Sequence, residues 1–155
     1  MKGGHLYSNH ESGRPVHAAT HVRSREIIFD QELTEHPKEL ARILTHELFH
    51  FVWVRLGNQL RKSYEAVVLK EWQQHARGEL GWSAESRKRI LLSYNPQPTT
   101  HNPSFRTYLC ESFCDTAAWL YSGVRRHEEF TLAARYRKRR AEWFQAAFRN
   151  RGIPI

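Results

Sequence analysis

The sequence predicts a mostly helical α+β domain with a small β-sheet at its N-terminal end. Two observations support this fold class. Before residue 31 the chain contains short runs that are typical of strands. After residue 37 apolar residues recur at spacings of three and four over several long segments, which indicates amphipathic helices. The 155 residues are enough for one hydrophobic core, so we expect residues 1–155 to form a single domain.

The composition is that of a soluble globular protein. Hydrophobic residues make up 40% of the chain and aromatic residues 12%, which excludes a disordered chain. No apolar run approaches the length of a membrane span, and the N-terminus lacks the apolar stretch of a secretory signal. We therefore expect a cytoplasmic protein without a membrane partner.

An arm and a hairpin are expected first along the chain. Residues 1–15 are rich in Gly, Ser, Asn and His, which is typical of an arm or loop. Residues 25–30 are the strongest strand candidate, and residues 16–22 are placed to pair with them as a hairpin. An exposed edge of this hairpin could hold an extended peptide by strand addition, although an ordinary scaffold strand explains the pattern equally well.

The next element is a long helix over residues 37–54. Thr34 or His36 is expected to cap its N-terminus, and Gly57 stands where a C-cap glycine belongs. Most of the residues inside the helix are apolar. A charged or imidazole side chain in such surroundings is costly unless it is paired or bound to a ligand.

This helix contains the pattern His-Glu-x-x-His at residues 46–50. Because His46 and His50 are four residues apart, both imidazoles project from one face and can bind one Zn²⁺. Glu47 lies one step round the helix, where it can take a proton from water activated by the metal. The pattern is the signature of zinc metallopeptidases. The alternative is a core helix whose histidines are satisfied by hydrogen bonds alone.

Two further helices are expected before a turn-rich loop over residues 95–103. The first spans residues 63–76, with Gly78 beyond its end. Three ionisable side chains of that helix are interpreted as solvated surface groups rather than metal ligands: Glu65, Glu71 and His75. The second helix is expected to be capped by Ser83 and to run through Ser93.

A fourth helix is expected to open at Asn102 and to end near Tyr121. It places Glu111 and Asp115 four residues apart on one face. A catalytic zinc usually has three protein ligands and keeps one position for water, so Glu111 is the expected third ligand. Asp115 is expected to accept the free ring N–H of His46 and thereby to fix the orientation of that imidazole.

The two cysteines offer a rival to this ligand set. Cys110 and Cys114 are also four residues apart, so together with the two histidines they would form a closed structural zinc site. Because Cys110 is rotated about 100° from Glu111 around the helix, one ion cannot bind both pairs. We favour the glutamate, since a closed cysteine site would leave Glu47 without a role.

Together the two helices resemble the gluzincin metallopeptidases, the thermolysin-like branch of the zincins. That family pairs His-Glu-x-x-His with a downstream Glu on a second helix, commonly followed four residues later by an Asp. The chain is shorter than a typical member, so the resemblance implies a minimal zincin-like catalytic domain. The roles that it implies are Zn²⁺ ligands His46, His50 and Glu111, general base Glu47, and Asp115 as the residue that holds a ligand in place.

The resemblance also implies the reaction, which is zinc-dependent hydrolysis of a bond in a peptide or protein substrate. Relatives commonly add a Tyr, His or Arg side chain that stabilises the oxyanion. Tyr108, three residues before Glu111, is one candidate for that role. The remaining candidates are Tyr94, His101 and Tyr121.

A last helix is expected over residues 128–149, and it is amphipathic and basic. The chain carries a net charge of +8, and one run of this helix is dense in cations: Arg135, Arg137, Lys138, Arg139 and Arg140. Such a run either binds nucleic-acid phosphates through counterion release or forms a solvated helix face. The alternative function is therefore a catalytically silent, zinc-stabilised binding module for an acidic partner or a nucleic acid.

Overall fold

The computed structural model describes residues 6–7, 15–94, 98–99, 101–149 and 152–153. These residues form five α-helices and two antiparallel strand pairs, which confirms the mostly helical α+β fold. The strands are β1 (Leu6–Tyr7), β2 (Pro15–Val16), β3 (Ala18–His21) and β4 (Glu26–Phe29). A 3₁₀ helix (Gln31–Glu35) leads into α1 (Pro37–Arg55), α2 (Asn58–Gln73), α3 (Trp82–Ser93), α4 (Pro103–Tyr121) and α5 (Ala134–Phe148).

The predicted hairpin is present as β3 and β4. The two strands pair antiparallel along all four residues of each strand. Strand β3 packs on α1, and the Thr20 hydroxyl donates a hydrogen bond to the Glu47 carboxylate of that helix. The hairpin therefore lies against the helix that carries the histidine motif. The predicted arm, residues 1–15, lies outside the described residues except for 6–7 and 15.

Helices α1 and α4 pack against each other through an aromatic core. The rings of Phe49 on α1 and Phe113 on α4 lie 5.8 Å apart, and Phe144 of α5 stacks on Phe113 at 4.9 Å. Tyr64 of α2 is fully buried and meets Phe113 edge to face. Such aromatic pairs add about 0.5–1.5 kcal/mol each beyond the area that they bury. This core fixes the position of α1 relative to α4.

The boundary between α1 and α2 differs from the prediction. Gly57 is not a C-cap glycine, because it precedes the first turn of α2 in an extended conformation with φ −63° and ψ 154°. Helix α2 consequently begins at Asn58, earlier than predicted. Neither candidate side chain caps α1: His36 makes no capping hydrogen bond, and the Thr34 hydroxyl donates within the preceding 3₁₀ helix.

The C-terminal half follows the prediction more closely. Asn102 caps α4 by accepting a hydrogen bond from the Ser104 N–H at 2.9 Å, and the helix ends at Tyr121. Helix α5 begins at Ala134 rather than at residue 128. Part of the predicted loop, residues 95–97 and 100, lies outside the described residues. None of the described helices combines the length and the apolar character that crossing a membrane requires.

Candidate metal centre

Helices α1 and α4 bring three side chains together. The Nε2 atom of His46 lies 3.2 Å from the Nε2 atom of His50 and 3.3 Å from the Oε2 atom of Glu111. The distance from His50 Nε2 to Glu111 Oε2 is 3.8 Å. Two atoms bound to one zinc at about 2.0–2.1 Å with a tetrahedral angle are about 3.3–3.4 Å apart. The three atoms therefore have separations that suit three ligands of one ion.

Asp115 binds His46 through the ring nitrogen that does not face His50 and Glu111. His46 Nδ1–H donates to Asp115 Oδ1 at 2.7 Å, which sets the tautomer in which Nε2 carries the lone pair. The other oxygen, Oδ2, accepts a hydrogen bond at 2.8 Å from the backbone N–H of Ala84, in the first turn of α3. The N-terminal end of a helix stabilises an anion, so this carboxylate is held from two sides.

The contact between Asp115 and α3 explains why Ser83 is not the cap that was predicted. Gly81 occupies the capping position, and a Cβ atom on Gly81 would lie 2.3 Å from Asp115 Cγ. Only glycine leaves space for the carboxylate to reach the Ala84 N–H of this turn. No local pattern indicates this arrangement, because the capping carboxylate is 31 residues away.

Glu47 is buried on the side of α1 that faces the hairpin. Its side chain accepts a hydrogen bond from the Thr20 hydroxyl, with 2.5 Å between Thr20 Oγ1 and Glu47 Oε2. Glu47 and His46 both line a cavity of about 380 Å³ that Trp82 also borders. Thr20 thus orients one carboxylate oxygen and leaves the second as an acceptor. Thr20 carries no motif that would mark it in the sequence.

The other side of the ligand set faces a larger cleft of about 720 Å³. His50 and Glu111 line this cleft, and their side chains are 19% and 18% exposed, compared with 9% for His46. The side chains of His50 and Glu111 are therefore more accessible to solvent than the side chain of His46.

Burial and neighbouring charges shift the pKa values of the ionisable groups of the site in opposite directions. Burial disfavours a charged His46, but the Asp115 and Glu111 carboxylates outweigh it and raise the pKa of that imidazole well above 6.5. Burial also disfavours a charged Glu111, but the two imidazoles outweigh it and lower the pKa of that carboxyl group. The negative charge of the site thus attracts a proton in the metal-free protein and would attract a metal cation in its place.

The cysteines lie beside these ligands. Cys110 Sγ is 3.5 Å from His50 Nδ1, on the edge of the ring away from Nε2, so it cannot share an ion that binds at Nε2. Cys114 is fully buried, and its Sγ lies within 4.8 Å of a ring nitrogen of each histidine. Of the two cysteines, only Cys114 is placed to join the ligand set. Cys114 is therefore a competitor of Glu111, whose Oε2 lies 3.3 and 3.8 Å from the two Nε2 atoms.

Tyr108 is not part of this site, so the prediction that it stabilises an oxyanion is wrong. It is buried, and its hydroxyl donates to Glu79 Oε1 at 2.5 Å. Tyr108 shares a face of α4 with Ser112 and Thr116. This face is rotated by one residue around the helix from the face that carries Glu111 and Asp115. Within the described residues, neither cavity is lined by the remaining candidates, Tyr94, His101 and Tyr121.

Tyr108 belongs to a second buried cluster, the arginine–glutamate network, which comprises Glu71, Glu79, Lys88, Tyr108 and Arg140. Arg140 is fully buried; its Nη2 donates to Glu71 Oε2 at 2.6 Å and its Nη1 to Glu79 Oε2 at 2.9 Å. Lys88 donates to Glu79 Oε1 at 2.8 Å. Two predictions are therefore wrong: Glu71 is not a solvated surface group, and Arg140 is not available to a nucleic acid.

The other cations of the basic run remain nearer the surface. Lys138 is 80% exposed, and the guanidinium groups of Arg135 and Arg139 lie 4.6 and 5.8 Å from the ring centre of Tyr136. Arg137 is half-buried. The basic surface of α5 is therefore smaller than the sequence indicates.

Comparisons with known proteins return no family model, no curated protein and no solved structure that matches the chain. The resemblance to gluzincins thus depends on the two motifs alone. What the site can do must be argued from its own donor atoms.

Proposed function

We propose that the protein is a zinc-dependent peptidase with His46, His50 and Glu111 as metal ligands. The observation that carries the proposal is the convergence of one atom from each of these side chains, at mutual distances from 3.2 to 3.8 Å. Two imidazoles and one carboxylate are a donor set that zinc accepts in catalytic sites, where a fourth position stays open. A core histidine pair held by hydrogen bonds to Glu111 and Asp115 is the alternative, and it predicts no zinc binding.

Zinc, when bound, supplies a Lewis acid that lowers the pKa of water and polarises a carbonyl group. The chain supplies the proton transfers. Glu47 is the proposed general base: the Thr20 hydroxyl occupies Oε2, so Oε1 is left to take a proton from the attacking water. The same carboxyl group then delivers that proton to the leaving amine.

Asp115 is proposed as a positioning residue. By accepting the Nδ1–H of His46 it keeps the Nε2 lone pair of that imidazole directed at the ligand set. Its own orientation is fixed by the first turn of α3, through the hydrogen bond from Ala84. The position of a metal ligand is therefore coupled to the packing of α3 against α4.

The first experiment compares wild type with Glu47→Gln for zinc content and for hydrolysis of a peptide library. We expect both proteins to bind about one zinc, because Glu47 is not a ligand. Hydrolysis should fall by about 10²–10⁴-fold in the variant, which is the usual contribution of a general base. Glu26→Gln, on the exposed end of β4, is the matched control and should cleave like wild type. Equal cleavage by Glu47→Gln and wild type would contradict the assigned base.

A second candidate function is a zinc-stabilised binding module without catalysis. The observation that favours it is Cys114, whose Sγ lies within 4.8 Å of both histidines and could fill the open position. An acidic partner or nucleic acid would then contact Lys138 and its exposed neighbours, since Arg140 is buried. Zinc binding without hydrolysis, together with loss of zinc in Cys114→Ala, would favour this function over the peptidase.

A further inference from the structure

The larger cleft starts at the proposed metal site and extends away from it between helix ends. His50 and Glu111 lie at the metal end. The remaining walls come from the last turns of α1 and the first turns of α2 and α4, where Asn58 and Pro103 are the first helical residues. Its volume of about 720 Å³ falls within the usual range of ligand-binding sites.

The charges that line this cleft are mainly positive. Apart from the proposed ligand Glu111, its charged lining consists of three cations and one carboxylate: Arg61, Lys62, Arg106 and Glu65. Arg61 is held by backbone carbonyl groups, since its Nε donates to Trp53 O at 3.1 Å and its Nη2 to Val54 O at 2.7 Å. Because these acceptors are uncharged, the positive charge of Arg61 is positioned without being neutralised.

Two further features increase the positive potential of the cleft. The first turns of α2 and α4 present the positive ends of two helix dipoles at its wall. Arg106 lies in the first turn of α4 and is exposed, and its guanidinium makes no ion pair with a described residue. Positive groups around a concave, partly desolvated surface concentrate anions there.

We propose that this cleft binds a carboxylate group of the peptide, supplied by an acidic side chain or by the C-terminus. The position of that carboxylate next to the scissile bond rests on the proposed peptidase function, because His50 and Glu111 form the end of the cleft. The binding itself depends only on the cations. The protein then prefers acidic peptides, or peptides with a free C-terminus, over neutral counterparts of the same size.

The test uses four peptides of one sequence, with Glu or Gln at one position and with a free or amidated C-terminus. Equilibrium binding is measured with Glu47→Gln protein, which is not expected to cleave them, in the presence and absence of zinc. We expect at least one of the two carboxylates to tighten binding about fivefold at low ionic strength, and this preference to decline as salt is added. A preference for Glu over Gln identifies the side chain as the source of the carboxylate, and a preference for the free over the amidated peptide identifies the C-terminus.

Reversing the charge of single arginines tests whether the cations of this cleft cause the preference for a carboxylate. Arg106→Glu should abolish the preference for a carboxylate, whereas Arg126→Glu, an exposed arginine that lines a different cleft, should retain it. Equal binding of all four peptides, or a preference that appears only with zinc because the carboxylate binds the metal, would overturn the inference. If the preference is present but wild type hydrolyses none of the peptides, the carboxylate site stands and the peptidase function fails.

Discussion

The two buried clusters of charged groups differ in whether they contain arginine or lysine cations. In the arginine–glutamate network, Arg140 and Lys88 balance Glu71 and Glu79 through direct hydrogen bonds. The histidine–carboxylate cluster contains three carboxylates and two imidazoles: Glu47, Glu111, Asp115, His46 and His50. The two imidazoles must be neutral to bind a metal. Arg42 and Arg87 act on this second cluster electrostatically, but they lie outside it.

Burial of charge therefore does not by itself indicate a functional site. Both clusters pack against α4, and both would be costly to bury if their charges were unpaired. The network satisfies this requirement internally, which fits a purely structural role. The histidine–carboxylate cluster has only imidazole protons to balance its carboxylates, and a metal cation could replace them. Three of its atoms lie 3.2 to 3.8 Å apart, separations that are compatible with a zinc site.

The largest effect is expected when the internal balance of the network is broken. Glu79→Gln leaves Arg140 and Lys88 buried with one anion fewer, so the free energy of unfolding should fall by about 3–5 kcal/mol in urea denaturation. Glu47→Gln is the matched change in the other cluster. It should alter stability by less than about 1 kcal/mol, because glutamine can still accept the Thr20 hydrogen bond. Similar losses in the two variants would remove the distinction between the clusters.

Metal removal should affect only the histidine–carboxylate cluster. Zinc at about 100 times its dissociation constant should raise the free energy of unfolding by about 2.7 kcal/mol, and a chelator should abolish the gain. Glu79→Gln protein should have a lower free energy of unfolding than wild type but should keep this zinc-dependent gain. Glu111→Gln protein should lose most of the gain. Thermal or urea unfolding with and without chelator measures the gain. Retention of the full gain by Glu111→Gln would exclude Glu111 as a ligand and point to Cys114.

The sequence predicted the elements whose determinants are local. The spacings of His46 and His50, and of Glu111 and Asp115, follow from the helical period, so the faces that they occupy could be predicted without a structure. The hairpin and the extent of α4 were likewise indicated by short-range patterns. Their arrangement across the α1–α4 interface depends on the aromatic core and could only be expected by resemblance.

What the sequence did not predict involves partners that are far apart along the chain. Glu71 was interpreted as a surface group because its partner Arg140 is 69 residues away, on a helix whose basic run looked solvated. The role of Gly81 was missed for the same reason, since the carboxylate that replaces a local cap belongs to Asp115. Long-range pairs of this kind leave no period and no spacing in the sequence.

The link between Asp115 and Gly81 gives a smaller, more specific prediction. In Gly81→Ala the new Cβ would meet Asp115 Cγ at 2.3 Å, so the carboxylate and the first turn of α3 can no longer keep their present contact. We expect the hydrogen bond from His46 to Asp115 to be disturbed as a result. Zinc affinity in a competitive titration should fall by about 10-fold, at the lower end of the loss seen when a partner of a ligand is removed. Gly57→Ala is the matched control, because nothing lies within 4 Å of its added Cβ. Unchanged affinity in Gly81→Ala would mean that Asp115 does not need its contact with α3.

The smallest effect expected is the change in acid sensitivity when Glu79 is removed from the network. Burial opposes the charge of Glu79, but Arg140 and Lys88 outweigh it and lower the pKa of that carboxyl group below 4.5. A lowered folded-state pKa gives stability that is present above the unfolded-state pKa and is lost as pH falls towards the folded-state value. In metal-free protein the slope of the unfolding free energy below pH 4.5 should therefore be shallower for Glu79→Gln than for wild type. The difference cannot exceed about 1.4 kcal/mol per pH unit for one proton. Parallel acid slopes would show that Glu79 binds its proton equally well in the folded and unfolded chains, and that its ion pairs do not contribute the balance assigned to the network.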